Sequence, residues 1–287
     1  MFKGKVGPRK NIAAVAAACA LAAVCALGPV AAPALAAKKG GPTAKSSIVG
    51  GGPADPAAWP FAAGILFDGS LGCGGSVLAP TKVLTAAHCA LAASASHLQV
   101  VTGRANLADP SVGQVSAVTS ATVHPDYQST GQHDLAVLNL ATPTTASPVT
   151  IATASDNGAL APGKKVVVAG WGSQKPAGGN LSNVLKQTTL RVHKPRDCLF
   201  VFGPDLFMPQ FYFCANGTKL IGKKSKKQHT SACRGDSGGP LVANTASGVR
   251  QVGVVSFGPR KCGRIFPAAY ARVAAGADFI ASAVASP

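Results

Sequence analysis

Glutamate is missing from this 287-residue chain, and its 10 acidic residues are all aspartate. Charged residues of both signs make up only 13% of it, about half the ~25% of an ordinary soluble domain. A long exposed helix or coiled coil needs many Glu and Lys residues, so that class is excluded. Intrinsic disorder is excluded from the other side, because 47% of the residues are hydrophobic and disorder needs low hydrophobicity with high charge density. No internal repeat of fixed period is visible, and no C-x-x-C pair exists, which removes a zinc ribbon. The shortage of acids leaves 27 Lys and Arg unbalanced, for a formal net charge of +17.

What is present begins with a segment to set aside. Lys3, Lys5, Arg9 and Lys10 precede an uncharged run from Ile12 to Ala37 that ends in Ala34-Leu35-Ala36-Ala37. A basic start, an apolar middle and an A-x-A site describe a secretory signal peptide over 1–37. A membrane anchor is the competing reading, since the run is long enough to span. Pro29 and Pro33 break it near its end, at the point where a peptidase would cut, and favour export. Cys19 and Cys25 leave with this segment. Six cysteines remain in the exported chain: Cys73, Cys89, Cys198, Cys214, Cys233 and Cys262. An even number outside the cytoplasm points to three disulfides, for which spacing alone allows 15 pairings.

Lys38 to Ser47 is polar and holds no core-forming residue. Beyond Ile48 the texture changes to short runs rich in Val, Leu, Ile and Thr: 75–79, 82–86, 98–102, 115–123, 135–140, 165–169, 185–192, 239–242 and 251–257. Gly, Pro, Asn and Asp separate them. Many short strands divided by turn residues read as an all-β sandwich or barrel. Two segments read as helical, a turn at 86–92 and a C-terminal helix at 274–284, where Phe279, Ile280, Ala283 and Val284 recur at helical spacing. The Thr-, Pro- and Asn-rich stretch 141–162 reads as the connection between two halves, 48–150 and 151–287, each large enough for a core of its own.

The most informative string is Cys233-Arg234-Gly235-Asp236-Ser237-Gly238-Gly239-Pro240. A serine among glycines presents a hydroxyl on backbone that a substrate can approach, beside N–H groups able to face a developing oxyanion. The loose G-x-S-x-G pattern also occurs in α/β-hydrolases, but those need a histidine after the serine, and none follows Ser237. Thr85-Ala86-Ala87-His88-Cys89 puts a base at the end of a strand, and Asp134-Leu135-Ala136-Val137-Leu138 an acid at the start of one. Nucleophile, base and orienting acid are the parts of an activated serine.

In the order His88, Asp134, Ser237 the chain resembles the chymotrypsin-like serine peptidases from Ile48 to about Val284. Further matching strings are Ile48-Val49-Gly50-Gly51, Cys73-Gly74-Gly75-Ser76, Gly170-Trp171-Gly172, Ser256-Phe257-Gly258, and Pro267 with Tyr270-Ala271-Arg272-Val273. The resemblance implies two six-stranded antiparallel β-barrels with a C-terminal helix and an active site in the cleft between them. It implies Ser237 as nucleophile, His88 as general base and acid, Asp134 as its orienting partner, and the N–H groups of Gly235 and Ser237 as oxyanion hole. It also implies the pairings Cys73–Cys89, Cys198–Cys214 and Cys233–Cys262, and backbone 256–258 pairing with substrate. Phe257 stands where the family usually has Trp, which loosens the sites upstream of the cleaved bond. The remaining five histidines, among them His124 and His133, read as surface or structural.

The resemblance places Ser231 at the floor of the primary specificity pocket, with Ala232 and Ala268 on its walls, Gly258 at its open entrance and Arg234 beside it. None of the floor or wall residues is acidic, so a buried Lys or Arg of a substrate would stay unpaired at a cost of several kcal/mol. Cleavage after Phe, Tyr or Leu is expected, with Trp disfavoured. A catalytically inactive, cationic binding protein of the same fold is the alternative function. The chain is expected to be a monomer, to need no metal or cofactor, since the family's calcium loop uses Glu, and not to bind nucleic acid.

Residues 1–47 hold seven of the basic residues and no acid, which leaves 20 basic against 10 acidic beyond them, a net +10. Lys219, Lys223, Lys224, Lys226 and Lys227 form a basic loop, with Arg260, Lys261 and Arg264 on a neighbouring one. A solvated loop is the plain reading, and a contact for polyanions or anionic surfaces the sharper one. The resemblance finally implies an activation propeptide, 38–47. A partner protease would cut before Ile48, and the new amine would pair with buried Asp236.

Overall fold

The computed structural model describes residues 48–217, 220–221, 228–264 and 266–287. The expected signal peptide and propeptide, and the five lysines of the 219–227 loop, lie outside the described residues.

Six strands close the first barrel: β2 (Ala62–Phe67), β3 (Ser70–Ala79), β4 (Lys82–Thr85), β5 (Leu98–Thr102), β6 (Gln114–Val123) and β7 (Ala136–Leu140). They pair antiparallel in the order β2-β3-β4-β7-β6-β5. The turn joining β2 to β3 is Asp68-Gly69, both with positive φ (47° and 80°). That is the hairpin turn whose twist matches the flanking strands, and Asp-Gly is the sequence that tolerates it. Six more strands close the second barrel: β8 (Lys165–Gly170), β9 (Lys186–Val192), β10 (Tyr212–Gly217), β13 (Pro240–Thr245), β14 (Gly248–Phe257) and β15 (Ala268–Arg272). Their order is β9-β10-β15-β14-β13-β8, and β8 pairs back onto β9. The short β1 (Gly52–Pro53) adds to the outer side of β9, and β11 (Leu220–Ile221) pairs with β12 (Gln228–His229) as a separate hairpin.

The barrels are filled by inward-facing apolar side chains. Ile65, Val77, Leu84 and Leu138 are fully buried in the first, and Val166, Leu190, Leu241 and Val254 in the second. Burial at roughly 25 cal/mol per Å² of apolar surface makes these interiors the main source of stability. Three disulfides join Cys73–Cys89, Cys198–Cys214 and Cys233–Cys262. The last closes 29 residues of sequence, a constraint on the unfolded chain worth ~3–4 kcal/mol in the loop-entropy view.

Two helices exceed the sequence reading. α1 (Ala87–Ala90) is the expected turn after β4, and α4 (Ala277–Ala285), entered through a 3-10 turn at Ala274–Gly276, is the expected C-terminal helix. α2 (Pro125–Thr130) and α3 (Pro195–Phe202) are additional. α2 spans barely one and a half turns, too short for periodicity to show, and α3 carries only the brief apolar set Cys198, Leu199 and Phe202. Both start with Pro at the first helical position and stop before Gly, at Gly131 and Gly203. Those punctuation marks, rather than periodicity, define short helices. Strands β2, β10 and β15 were likewise not among the predicted runs, since their Ala- and Gly-rich sequences carry little β-branched character.

Candidate active site

The first barrel supplies a histidine and an aspartate. β4 ends at Thr85, the chain turns through extended Ala86, and α1 lifts His88 out of the barrel wall. Asp134 is delivered by the segment between α2 and β7, where His133 takes φ +55°. The Asp134 carboxylate, 3% exposed, accepts three hydrogen bonds. The His88 backbone N–H donates to Oδ1 (2.9 Å), the His88 ring through Nδ1 to Oδ2 (2.8 Å), and Ser256 Oγ to Oδ2 (2.5 Å). Holding the proton on Nδ1 leaves the lone pair of Nε2 free, the arrangement a general base needs. The Asp134 charge is felt nearby: burial first, and then this charge, push the Tyr127 hydroxyl up to about 12.

Ser256 was read from sequence only as substrate-pairing backbone. Its side chain reaches Asp134 because β14 slips register against β15 between Val255 and Phe257. Such a bulge re-aims one side chain without disturbing its neighbours. Nothing in the sequence marks that bulge.

The second barrel supplies the serine. Ser237 lies on a tight turn ahead of β13, with φ +89° at Gly235 and +79° at Gly238. The turn is pressed against the first barrel, where Gly74 N–H donates to Ser237 O (2.7 Å), and tied to its own barrel, where Gly238 N–H donates to Val255 O of β14 (2.7 Å). A Cβ on Gly238 would lie 2.2 Å from Thr85 Oγ1 and 2.4 Å from Gly74 O. Only glycine lets the serine turn reach the end of the strand that leads to His88. Among the described residues, the N–H groups of Gly235 and Ser237 donate to no protein acceptor. Two free donors beside a half-buried hydroxyl are what an oxyanion site requires. The structure does not close a hydrogen bond between Ser237 Oγ and His88 Nε2, and that nitrogen lies 3.5 Å from Cys89 Sγ. Such contacts commonly tighten only around substrate.

Asp236 points the opposite way, into the second barrel. It is fully buried and accepts from Gly172 N–H and Cys233 N–H, each at 2.8 Å. No cation pairs with it among the described residues, and burial pushes its carboxyl up to about 7 despite the two donors. A Cβ on Gly172 would meet Asp236 Cγ at 2.3 Å, and one on Gly170 would meet Oδ1 at 2.2 Å. The Gly-Trp-Gly string is therefore the cradle of this carboxylate. Ile48 is fully buried with φ +49°, and Val49 bridges to Ser231, which lies two residues before Cys233.

Of the expected pocket residues, Ser231, Ala232 and Arg234 flank Cys233 of the Cys233–Cys262 bridge in sequence. Ser231 is 1% exposed and its Oγ donates to Ala232 O (2.9 Å). A Cβ on Gly258 would come within 3.2 Å of the buried Ala268 Cβ, so glycine keeps the gap between them open. Phe257 is held edge-on by Phe202 (5.2 Å between centroids) and Tyr212 (5.3 Å). Arg234, Arg260, Lys261 and Arg264 are all exposed. Of the other histidines, His97 pairs with Asp68 at the surface (2.7 Å), and His193 and His229 bond Asn216 and Gly217 O. His124 and His133 are buried and stacked on one another.

The family profile described as Trypsin matches residues 48–280. The chain is 35% identical over 235 residues to a protein called Trypsin from Saccharopolyspora erythraea, an alignment covering 81% of this chain and 96% of that one. It is 33% identical over 236 residues to Brachyurin from Leptuca pugilator, with the same two coverages. Among solved structures, human heparin binding protein superimposes with a TM-score of 0.68 at 28% identity, covering 84% of this chain and 98% of that one.

Proposed function

From the premise that this chain belongs to the trypsin family of serine peptidases, we propose that it is a secreted endopeptidase working through an acyl-enzyme on Ser237. The observation that carries the reading is the triply anchored Asp134, which fixes His88 in the tautomer of a base beside the Ser237 turn. Ser237 Oγ attacks the scissile carbonyl as His88 Nε2 takes its proton. The N–H groups of Gly235 and Ser237 receive the oxyanion, each worth ~2.7–4 kcal/mol in comparable sites. The imidazolium then gives its proton to the leaving amine. Water repeats the sequence on the acyl-enzyme and restores the serine.

Specificity for large apolar residues before the cleaved bond rests on the uncharged set Ser231, Ala232, Gly258 and Ala268. A peptide library is the test, with cleavage after Phe, Tyr or Leu expected; efficient cleavage after Arg overturns it. Activation by a cut between Ser47 and Ile48 is supported by Asp236, a buried carboxylate with no cation among the described residues, and by the bridge that pairs Val49 with Ser231, five residues before it. The new ammonium would supply that cation. Because Ser47 is not basic, the activating protease need not be trypsin-like. N-terminal sequencing of the active form tests it, and a fully active protein starting at Ala37 or Lys38 refutes it.

A binding protein without catalysis is the second reading, favoured by the similarity to human heparin binding protein and by the net charge. Labelling with a sulfonyl fluoride separates the two. Modification located at Ser237 supports the peptidase, and a folded, mature protein that does not label supports the binder.

A further inference from the structure

We propose that Tyr212, a residue of the second barrel, is a positioning residue for the orienting acid of the first, its hydroxyl tying the loop that carries Asp134 to the strand that pairs with substrate. The role rests on the peptidase reading above. Tyr212 opens β10 and is 1% exposed. Its Oη donates to Gly131 O at 3.0 Å, across 81 residues of sequence and from one barrel to the other. Gly131 ends α2 at φ +70°, three residues before Asp134. A carbonyl at a helix end has no partner within its helix, and the phenol supplies one. Burial first, and then the Asp134 charge, push the Tyr212 hydroxyl up, while the Asp134 backbone N–H pulls it back by hydrogen bonding to the oxygen. A phenol can donate and accept at once, so one oxygen lies against both ends of the Gly131–Asp134 segment.

Each residue of that segment leans on the second half of the chain. Gly131 meets Tyr212, Gln132 Nε2 donates to Asp205 O (3.3 Å), the His133 ring is braced by Phe211 (4.0 Å between centroids), and Asp134 accepts from Ser256 Oγ. The segment needs such support. His133 stands at φ +55°, and both His133 Nδ1 and Gln132 Oε1 are buried without hydrogen-bond partners. A conformation of that kind persists only where its surroundings impose it.

On its other side the Tyr212 ring meets Phe257 edge-on, with centroids 5.3 Å apart. Phe257 follows Ser256, whose Oγ donates to Asp134 Oδ2. The contacts therefore close a circuit that runs from Asp134 through Ser256, Phe257 and Tyr212 back to the Asp134 segment. A misplacement of about 1 Å can cost on the order of a hundredfold in rate, so loosening this circuit reads out in the chemical step rather than in binding.

Tyr212→Phe keeps the buried ring and its packing on Phe257 and removes only the oxygen. The test measures kcat and KM on a peptide substrate, together with the NMR signals of His88 Nδ1 and its proton in resting, mature, histidine-labelled protein, assigned with His88→Ala. The kcat should fall about fivefold with KM within about twofold of the parent's, and the His88 signals should move as the Asp134 carboxylate shifts against Nδ1. Thr102→Val is the control. It removes a buried hydroxyl contact of the first barrel, Thr102 to Thr144 (2.6 Å), so it should lower the melting temperature and change neither kcat nor the His88 signals. If the parent turns over no substrate, the peptidase reading fails and the His88 signals alone decide the Tyr212 tie. Unmoved His88 signals overturn the proposal. In an active protein so does a kcat for Tyr212→Phe within about twofold of the parent's, or an equal loss of kcat in Thr102→Val.

Discussion

Replacing Asp236 by asparagine should have opposite effects on stability before and after the propeptide is removed. In the uncleaved chain the carboxyl is pushed from 3.8 up to about 7 by burial. A carboxyl raised in the folded state binds its proton more tightly there than in the unfolded chain. Folding stability is then highest below the unfolded value and declines as pH rises from about 4 to about 7. A shift of about three pH units at ~1.36 kcal/mol each gives a loss of about 4 kcal/mol by pH 8. Asparagine removes this slope. Its amide can accept from only one of the Gly172 and Cys233 N–H groups, which costs ~1–3 kcal/mol. The uncleaved variant should therefore be about 1–3 kcal/mol more stable than its parent at pH 8. In the cleaved protein the proposed buried pair with the Ile48 amine would be broken by the same change, at a cost of ~3–5 kcal/mol. Urea unfolding at pH 5 and pH 8, disulfides intact and Ser237→Ala present in every sample to stop self-cleavage, measures all four quantities. Equal destabilisation of the cleaved and uncleaved forms at pH 8 would falsify the pairing of Asp236 with the new terminus.

Ser237→Ala or His88→Ala should each lower kcat by roughly 10⁴–10⁶ while leaving circular dichroism unchanged, and the double variant should be no worse than either. Ser256→Ala removes a hydrogen bond to a charged group worth ~1.5–3 kcal/mol; it should lower kcat about tenfold or more with little change in KM, and an equal loss in an inert binding assay would count against a role through Asp134. Gly172→Ala puts a methyl into the Asp236 carboxylate, so activity should vanish and the melting temperature of cleaved protein should drop, as strain of ~1–3 kcal/mol requires. If the proposed cut frees the Ile48 amine to pair with Asp236, the carboxylate should raise it above its ordinary ~7.7–8.0, so that its contribution is full below that range and is lost as pH climbs through the higher folded value. Activity should accordingly fall reversibly on the alkaline side, and an irreversible loss would point to unfolding instead.

The sequence was most readable where residue type alone dictates geometry. Gly235 and Gly238 stand at positive φ, and Gly170 and Gly172 stand where any side chain would strike Asp236. Strands such as Lys165–Gly170 announced themselves by β-branched runs, and Ile280 and Ala283 by helical spacing. What stayed hidden depends on tertiary placement. Ser256 looks like one more strand residue until a register slip turns it onto Asp134. His124 and His133 are nine residues apart in sequence, and only the loop around α2 stacks their rings. Asp68-Gly69 was a legible hairpin signal, and reading it would have located β2.

The division of labour between the barrels has a consequence for biosynthesis. His88 and Asp134 precede Ser237 and Ser256 in the sequence, on six strands that close as a barrel among themselves. Until those later residues are in place the base has no nucleophile to activate, and the acid lacks its third hydrogen bond. On the proposed mechanism, hydrolytic chemistry needs the second barrel formed and its glycine turn seated against Thr85 and Gly74. On that mechanism a half-made or misdocked chain would be chemically inert, and the order of assembly would shield the producing cell independently of any propeptide.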